Sequence, residues 1–588
     1  MKDTVSIGGA SGFWGDSVLG PVQLVASGRI DFLVFDYLAE LTMSLLAAAR
    51  MKQPDAGYAT DFVTVAMRTV LKDAMARGIR IVANAGGINP RGCADALRTL
   101  ADELGLKVRI AVVEGDNVMP LLPALRSEGV RALDGERPLP EMVVSANAYL
   151  GALPIRAALD AGADVVITGR CVDSAVTLGV LMHAFDWSAT DYDRLAAGSL
   201  AGHIIECGCQ GSGGLHTDWE DVPDWANSGY PIVECQADGS FVVTKPDHTG
   251  GLVTPATVAE QLLYEIGDPA RYLLPDVVCD FTQVSMSAVG PARVEVRGAR
   301  GLPPTPDYKV SATYADGFRC NAMLTVVGFD AARKARRTGE AIIERTRGLF
   351  KKLGMADYSA THIETLGSAF SYGSHQPTTT HFESVLWLAV AHRDKRALEL
   401  FAREIAPAGT SWSPGTTGAA GRPRVTPSVK QYGFLLDKSR VTASVTLDGE
   451  TVPVPAMPAG QALPAVAEQA ALPKAIPQAP TREVPLIELA YARSGDKGDI
   501  SNIGVIARCP EDLPLLRAQL TEAAVAEYLA HLVKGRVTRY EVPGIHAFNF
   551  VCEAALDGGG IASLRNDALG KGMAQVLLAM PVRIPLDR

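Results

Sequence analysis

The first 170 residues alternate six short apolar runs with helical stretches, and this rhythm constrains the fold more than any other feature of the sequence. The runs cover residues 5–10, 31–38, 79–87, 108–117, 142–150 and 164–170. Near-continuous apolar strands separated by helices are typical of a parallel sheet that is covered on both faces. The pattern therefore predicts an α/β fold with a doubly wound, mostly parallel sheet. A partial or complete barrel stays open, because periodicity does not distinguish an open sheet from a closed one.

The rest of the chain divides into three further parts. Residues 245–452 mix strands and helices, which predicts an α+β subdomain packed on the α/β domain of residues 1–244. Residues 453–484 repeat proline and alanine and contain few large apolar side chains. Such a segment cannot bury enough surface to fold and favours extended conformations, so we interpret it as a linker. Residues 485–588 predict a small α+β domain.

Composition and charge limit the cellular compartment we expect for the protein and the partners it could bind. The 588 residues carry a formal net charge of −10 without a Lys/Arg-rich run, which argues against nucleic-acid binding. The apolar stretches are shorter than the roughly 20 residues that span a bilayer, and the N-terminus lacks a signal-peptide pattern. Nine scattered cysteines favour a reducing compartment. We expect a cytoplasmic protein that binds a small molecule, does not bind membranes and forms a homo-oligomer.

Polar residues and glycines follow every predicted strand of the first domain. In an open parallel sheet, ligands bind beyond the carboxyl ends of the strands. We therefore expect one polar cluster at this rim. For any single residue the alternative is that Asp or Asn caps the next helix, or that Gly only turns the chain. The candidates are Gly8, Gly9, Gly12, Asp36, Glu40, Asn84, Gly86, Gly87, Glu114, Asp116, Asn117, Asn147, Tyr149, Arg170, Asp173 and Ser174.

The glycines after the first strand suggest an anion site. Gly8, Gly9 and Gly12 would let backbone N–H groups approach a phosphate at a helix N-terminus. Their spacing matches neither the dinucleotide fingerprint nor the P-loop. A phosphate of another ligand, such as coenzyme A, fits the loop equally well.

The sequence leaves the metal and the cofactor undetermined. Oxygen ligands from Asp36, Glu114 or Asp116 would suit a divalent cation such as Mg²⁺. Cys207 and Cys209 suggest zinc, but a structural zinc site usually has a second such pair, which is missing. Ordinary thiols on a Gly-rich loop are the favoured interpretation.

A charged segment in the C-terminal domain, ARSGDKGDISNIG, lies between two predicted strands. A hairpin needs only a two-residue turn, so a longer charged loop predicts a binding or docking surface; a solvated turn is the alternative. Its candidate residues are Arg493, Asp496, Lys497, Asp499 and Asn502.

Several motifs in order resemble one known family. GGASGFWGDSVLG, VFDYLAELTMS, ANAGGINP, VVEGDN, SANAYLGA and VITGRCVDSA are similar to the AtuA (acyclic terpene utilisation) family. The domain with RSGDKGDISNIG resembles the small ferredoxin-like domain that this family carries at its C-terminus. The resemblance implies a role in the bacterial breakdown of citronellol and geraniol, through CoA thioesters and a carboxylated isoprenoid acyl-CoA. It does not fix the substrate, since relatives could serve other branched acyl-CoA routes.

An enzyme acting on a branched acyl-CoA or a related carboxylate, by C–C lysis or hydration, is the first hypothesis. Such lyase chemistry needs a base and an acid around a polarised carbonyl. The predicted roles are base for Glu114 or Asp116, acid or partner for Asp173, substrate binding for Arg170, and carbonyl orientation for Asn84 and Asn147.

The second hypothesis is a non-catalytic scaffold or assembly subunit of a CoA-dependent degradative complex. In that case the charged loop of the C-terminal domain would be the docking surface, and the linker would supply reach.

Overall fold

The computed structural model describes residues 3–133, 135, 137–368, 370–376, 381–419, 421–463, 481–560 and 562–586. Most of the predicted linker, residues 464–480, lies outside this set. Within the described residues, no helix combines the length and the apolar character that crossing a bilayer requires.

The first 250 residues alternate strands with helices, as their sequence predicts. The strands are β1 Thr4–Gly9, β2 Phe32–Phe35, β3 Arg80–Ala83, β4 Ile110–Glu114, β5 Val143–Ala148, β6 Val165–Thr168, β7 Ile232–Gln236 and β8 Phe241–Thr244. The helices are α1 Leu19–Ser27, α2 Glu40–Lys52, α3 Arg68–Ala76, α4 Pro90–Glu103, α5 Leu122–Ser127, α6 Leu153–Asp160, α7 Ala175–Phe185 and α8 Tyr192–Ile205. A π-helical turn, Phe62–Met67, leads directly into α3.

The middle of the chain is richer in strands. They are β9 Tyr272–Leu273, β10 Val278–Asp280, β11 Ser285–Gly290, β12 Arg293–Arg297, β13 Arg300–Leu302, β14 Asp307–Val327, β15 Ala360–Leu366, β16 Glu383–His392, β17 Thr416–Ala419, β18 Val425–Asp437, β19 Ser444–Leu447 and β20 Glu450–Val452. The helices are α9 Pro255–Leu262, α10 Ala331–Lys352, α11 Lys395–Arg403 and α12 Ala408–Ser411. Helices α10 and α11 pack on β14 and β16 around a separate core that includes Phe350 and Phe401.

The C-terminal part forms a smaller α+β domain with its own core. Its strands are β21 Thr481–Pro485, β22 Ala490–Lys497, β23 Ile500–Ala507, β24 Val537–Val542, β25 Ala547–Cys552 and β26 Pro581–Pro585. Its helices are α13 Leu513–Gln519, α14 Glu522–Tyr528 and α15 Met573–Leu578. Four strands form an antiparallel sheet in the order β22-β23-β25-β24, and β21 pairs with β26. Phe548, Phe550 and Leu577 are among the fully buried side chains that hold it together.

Five parallel strands form the centre of the largest sheet, in the order β1-β2-β3-β6-β4. Helices cover both faces of this centre: Val34 and Val82 face one core, and Leu33 and Ile81 face the other. Antiparallel strands extend the sheet on both sides, with β7, β8, β12 and β11 beyond β1, and β19 and β20 beyond β4. The expectation of a mostly parallel sheet is therefore wrong: the eleven-stranded sheet is mixed, and it is open. Strands from distant parts of the chain cover the edges of the parallel centre, whose backbone groups would otherwise stay unpaired.

The strand predicted at residues 142–150 lies in a different sheet. β5 pairs antiparallel with β14, a strand of 21 residues that also pairs with β16, β17 and β18. The hydroxyls of Ser145 and Thr313 lie 2.7 Å apart although 168 residues separate them in sequence. A short apolar run fits either a parallel or an antiparallel neighbour, so only this long-range pairing decides its place.

Candidate functional site

The C-terminal domain is docked on the larger part of the chain through the β22–β23 hairpin. The side-chain amide of Asn502 donates to the Leu263 carbonyl at 2.6 Å, and the Glu265 backbone N–H donates to Asn502 at 2.9 Å. Asn549, on the neighbouring strand, donates to the Ile266 carbonyl at 2.8 Å. The chain segment that follows α9 is therefore bound to the C-terminal sheet by fully buried amides.

A buried carboxylate stabilises the same contact. Glu260 on α9 is fully buried and accepts a hydrogen bond from Arg493 at 2.9 Å and from the Thr217 hydroxyl at 2.5 Å. The His216 ring nitrogen lies 3.0 Å from the same carboxylate. Burial alone would raise the pKa of Glu260, but His216, Arg493 and Thr217 lower it. Glu260 is therefore an anion that joins α9 to the first strand of the hairpin.

Ionisable side chains of both domains face one another beside this contact, in what we call the interdomain cleft. Several of them, such as Lys309, Glu265 and Lys497, keep solvent-accessible surface although protein surrounds them, as expected for groups that line a cleft. The cleft residues are Asp36, Glu40, Tyr149, Arg170, Asp173, Glu206, Glu265, Lys309, Asp496 and Lys497.

The floor of the cleft is formed at the carboxyl ends of β2 and β6. Arg170 is almost fully buried; its guanidinium donates to Asp173 at 2.5 Å and lies 4.1 Å from the centre of the Tyr149 ring. Asp36 accepts a hydrogen bond from the amide of Asn84. Burial and the neighbouring Asp173 raise the pKa of Asp36 well above its ordinary value, and Arg170 acts in the opposite direction.

A second polar group links the floor to β14. Glu40, the first residue of α2, accepts a hydrogen bond from the Tyr149 hydroxyl at 2.6 Å and from Gln431 at 3.0 Å. The ammonium of Lys309 lies 4.0 Å from Glu40 and 4.9 Å from the centre of the Tyr149 ring. Burial would raise the pKa of Glu40, but Lys309, Arg170 and Tyr149 lower it to about 2. Glu40 is thus ionised at neutral pH, and Tyr149 is held between two cations.

Two other carboxyl groups of the cleft, which we call its wall together with His203 and Lys497, titrate near neutral pH. Burial raises the pKa of Glu265 to about 7, although Lys497 acts in the opposite direction. Burial, together with Glu265 and Glu40, raises the pKa of Asp496 to about 8. These two groups come from different domains, and each can hold or release a proton at neutral pH.

A histidine and an ammonium complete the wall. The two ring nitrogens of His203 lie 2.9 Å from Glu206 and 3.1 Å from the Leu262 carbonyl. Burial would lower the pKa of His203, but Glu206 and this carbonyl raise it above its ordinary value. Tyr272, followed by Glu265, Asp173 and Glu40, raises the pKa of Lys497, against the effect of burial. Lys497 is therefore a stable cation at neutral pH.

Two family models match the chain in consecutive order. Residues 5–447 match the model of the acyclic terpene utilisation family protein AtuA, and residues 484–583 match that of the AtuA ferredoxin-like domain. The chain belongs to the AtuA family. Searches of curated proteins and of solved structures return no significant match. The interdomain cleft of this AtuA protein therefore lies between the two regions that the family models match.

Some of the predicted site residues meet in the cleft of this AtuA protein, and others hold the fold around it. Arg170 and Asp173 line the cleft, and Asn84 binds Asp36. Asp116 does not line the cleft. It is buried and accepts hydrogen bonds from the Arg170 backbone N–H at 3.0 Å and from the Asn147 amide at 2.6 Å. Burial raises the pKa of Asp116 to about 6. Asp116 thus positions the backbone of Arg170.

Three other predicted residues lie beside the cleft or outside it. Glu114 is held by Arg91 through two hydrogen bonds, one of 2.9 Å and one of 2.5 Å. The exposed Asn117 accepts from the Met119 backbone N–H at 3.0 Å. Ser174 is buried and precedes α7, where Gly202 of α8 packs against it. The base predicted among Glu114 and Asp116 therefore does not come from a side chain that lines the cleft.

The predicted phosphate-binding glycines pack against other parts of the chain. A Cβ on Gly9 would lie 2.3 Å from the Ile205 carbonyl oxygen, and one on Gly12 would lie 2.6 Å from Cys207. A Cβ on Gly8 would contact Leu24 at 2.9 Å. Gly86 and Gly87 are similarly crowded, by the Thr168 carbonyl and by Leu46. These glycines permit close backbone packing, and a phosphate-binding role remains only a prediction.

The predicted charged loop of the C-terminal domain is mostly strand. β22 and β23 pair through to Lys497 and Ile500, so only two residues, Gly498 and Asp499, form the turn. Gly498 has a φ of +66°, which favours glycine. Asp499 accepts from the backbone N–H of Leu556 at 3.1 Å and of Gly558 at 2.8 Å. The expectation of a long loop is therefore wrong, and most of its polar side chains bind residues of the same chain.

The sequence did not single out several groups that the structure brings to the cleft. Glu265 follows α9, and Lys309 lies on β14, in segments without a recognisable motif. His203 lies on α8, and the nearby Cys207 suggested only zinc. Among the described residues, no group of three or more His, Cys, Asp or Glu has the arrangement of a metal site. The clearest sequence signal was the set of charges in RSGDKGD, which carries Asp496 and Lys497.

Proposed function

We propose that this AtuA protein is an enzyme of acyclic terpenoid or branched-chain acyl-CoA catabolism, with the interdomain cleft as its active centre. One observation carries the proposal: Glu265, which lies 3.8 Å from the Lys571 ammonium, and Asp496 come from different domains, and their pKa values of about 7 and about 8 lie near neutral pH. General acid–base catalysis is most efficient when the catalytic pKa lies near the working pH.

The reaction class we propose is a lyase reaction, either hydration or C–C lysis, on a CoA thioester or a related carboxylate. In hydration, one carboxylate takes a proton from water, the oxygen bonds to the β-carbon, and the other carboxyl group protonates the α-carbon. In C–C lysis, the base takes the proton of a β-hydroxyl group, and the electrons of the breaking bond pass to an enolate. That enolate then takes a proton from the acid. Both routes balance without an oxidant.

Glu265 and Asp496 take the acid and base roles in this proposal, in place of Glu114 and Asp116. A cation near the carbonyl is needed because negative charge develops on its oxygen. Arg170, at the floor of the cleft, is the cation that would stabilise it. Tyr149, which is hydrogen-bonded to the ionised Glu40, lies over the floor where the acyl chain would enter.

Incubation with a panel of branched acyl-CoA thioesters and their hydrated forms, followed by mass spectrometry, tests the proposal. We expect one member to be consumed, and both Glu265→Gln and Asp496→Asn to lower its turnover by about 10²-fold or more. A thermal shift assay with the same thioesters and with free coenzyme A measures binding separately, because a bound ligand raises the melting temperature. The absence of both turnover and a thermal shift across the panel would contradict the proposal.

A further inference from the structure

The three cations of the cleft differ in what they already bind. Arg170 donates to Asp173 at 2.5 Å and to the Cys171 carbonyl at 2.8 Å. Lys309 lies 4.0 Å from Glu40 and over the Tyr149 ring. Among the described residues, the ammonium of Lys497 has no hydrogen bond and no ion pair within 4.0 Å; it lies over the Tyr272 ring, 5.8 Å from Nζ to the ring centre. Lys497 therefore remains available to a ligand.

The backbone of Lys497 is fixed by the hairpin that carries it. Lys497 is the last residue of β22, directly before the two-residue turn. Four residues earlier on the same strand, Arg493 is anchored to the buried Glu260. On the facing strand, Asn502 binds the Leu263 carbonyl. Because the backbone on each side is anchored by buried contacts, only the Lys497 side chain has to be ordered when a ligand binds.

The charges around Lys497 limit which anion can approach. Glu40 and Asp173 are part of its electrostatic surroundings, and so is Glu265, which is partly ionised at neutral pH. A single negative charge would pair with Lys497, whereas a polyphosphate would bring further charges against these carboxylates. The site is therefore suited to one carboxylate and not to the phosphates of coenzyme A.

We propose that Lys497, supplied by the C-terminal domain, binds a single carboxylate group of the substrate and thereby completes the active centre. This inference rests on the proposed function and adds one feature of the substrate, a single free carboxylate that Lys497 binds. The AtuA region alone holds the floor of the cleft, and the ferredoxin-like domain holds the anchor for the substrate.

Calorimetric titration of the full-length protein at pH 7 with a matched pair of probes tests this. The pair is 3-methylbutanoate and its neutral amide, 3-methylbutanamide, which differ mainly in charge; inorganic pyrophosphate is the polyanion probe. We expect the carboxylate to bind about tenfold more tightly than the amide, because a charge-assisted hydrogen bond is made only by the former. Lys497→Met should abolish the preference, and Lys497→Arg should retain most of it. Lys534→Met, on the surface of the same domain, is the matched control.

Three results would overturn the inference: wild-type protein that binds acid and amide equally or binds neither, a Lys497→Met protein that keeps the preference, or pyrophosphate that competes as well as the carboxylate. Lys497→Gln replaces Lys497→Met if the latter melts at a lower temperature than wild type. The titration does not depend on turnover. A preference that Lys497 controls, without consumption of any thioester, would therefore contradict the proposed reaction and leave this binding site standing.

Discussion

Arg493, in the C-terminal domain, donates a hydrogen bond of 2.9 Å to the carboxylate of Glu260, which is fully buried on α9 of the larger part of the chain. This pair lies on the strand that ends at Lys497 and on the helix that precedes Glu265. It therefore connects the contact between the two domains with the geometry of the cleft.

Breaking this buried pair should destabilise the protein strongly. Glu260→Gln leaves Arg493 as a buried cation without its partner, and such losses cost about 3–5 kcal/mol of unfolding free energy. Urea denaturation monitored by circular dichroism measures the change. The matched control is Arg68→Met, which removes the surface pair with Glu103, where both side chains are half exposed. Surface pairs contribute about 1 kcal/mol or less. Equal effects of the two variants would show that the Glu260–Arg493 pair does not hold the domains together.

The stability of the protein should depend on the protonation of Glu265. Its pKa is about 7 in the folded protein and near its ordinary value of about 4.3 when unfolded, so the folded state favours the neutral form. This contribution is fully present below about pH 4.3 and is lost as the pH rises through about 7. Glu265→Gln stays neutral, so its unfolding free energy should fall less steeply than that of wild type between these values. Parallel pH profiles from urea denaturation would contradict the raised pKa.

Glu114 should be dispensable for turnover, in contrast to Glu265. Glu114 is paired with Arg91 at the outer side of the sheet, so Glu114→Gln is expected to leave kcat and KM unchanged within error. Glu265→Gln should lower kcat, because it removes a group that can exchange a proton in the cleft. Steady-state kinetics on the thioester identified in the panel measures both variants. A large loss of kcat in Glu114→Gln would restore the acid–base role that its position after β4 suggested.

The glycines at the end of β1 should tolerate no side chain, whether or not a ligand is bound. In Gly9→Ala the new Cβ would meet the Ile205 carbonyl oxygen at 2.3 Å, and such overpacking costs about 1–3 kcal/mol. Gly348 in α10 is the control, because no atom lies within 4 Å of its added Cβ. Gly348→Ala should instead stabilise by roughly 0.5–1 kcal/mol, the usual gain in a helix. Thermal denaturation without ligand distinguishes the two. A Gly9→Ala protein as stable as wild type would show that the end of β1 can move away from α8.

The strand positions and the family were accessible from the sequence, because both rest on local signals. The apolar runs of β1 to β6 are continuous enough to identify, and the motifs in GGASGFWGDS and VITGRCVDSA are specific. The polar floor was also predicted in part: Arg170 and Asp173 do follow a parallel strand and do meet Asp36. Glu265 and Lys309 were not accessible, since nothing in their local sequence differs from that of an ordinary surface residue.

The sequence by itself determined the order of the elements, the presence of a separate C-terminal domain and the charges of RSGDKGD. The tertiary structure alone decided that β5 leaves the parallel sheet, that late strands cover its edges, and that Asp496 and Lys497 face Glu265. The physical reason is the range of the interactions. Periodicity and turn preference act over a few residues, whereas the pairing of β5 with β14 and of Arg493 with Glu260 joins residues more than 150 positions apart. Raised carboxyl pKa values arise only once those long-range contacts enclose the groups in protein.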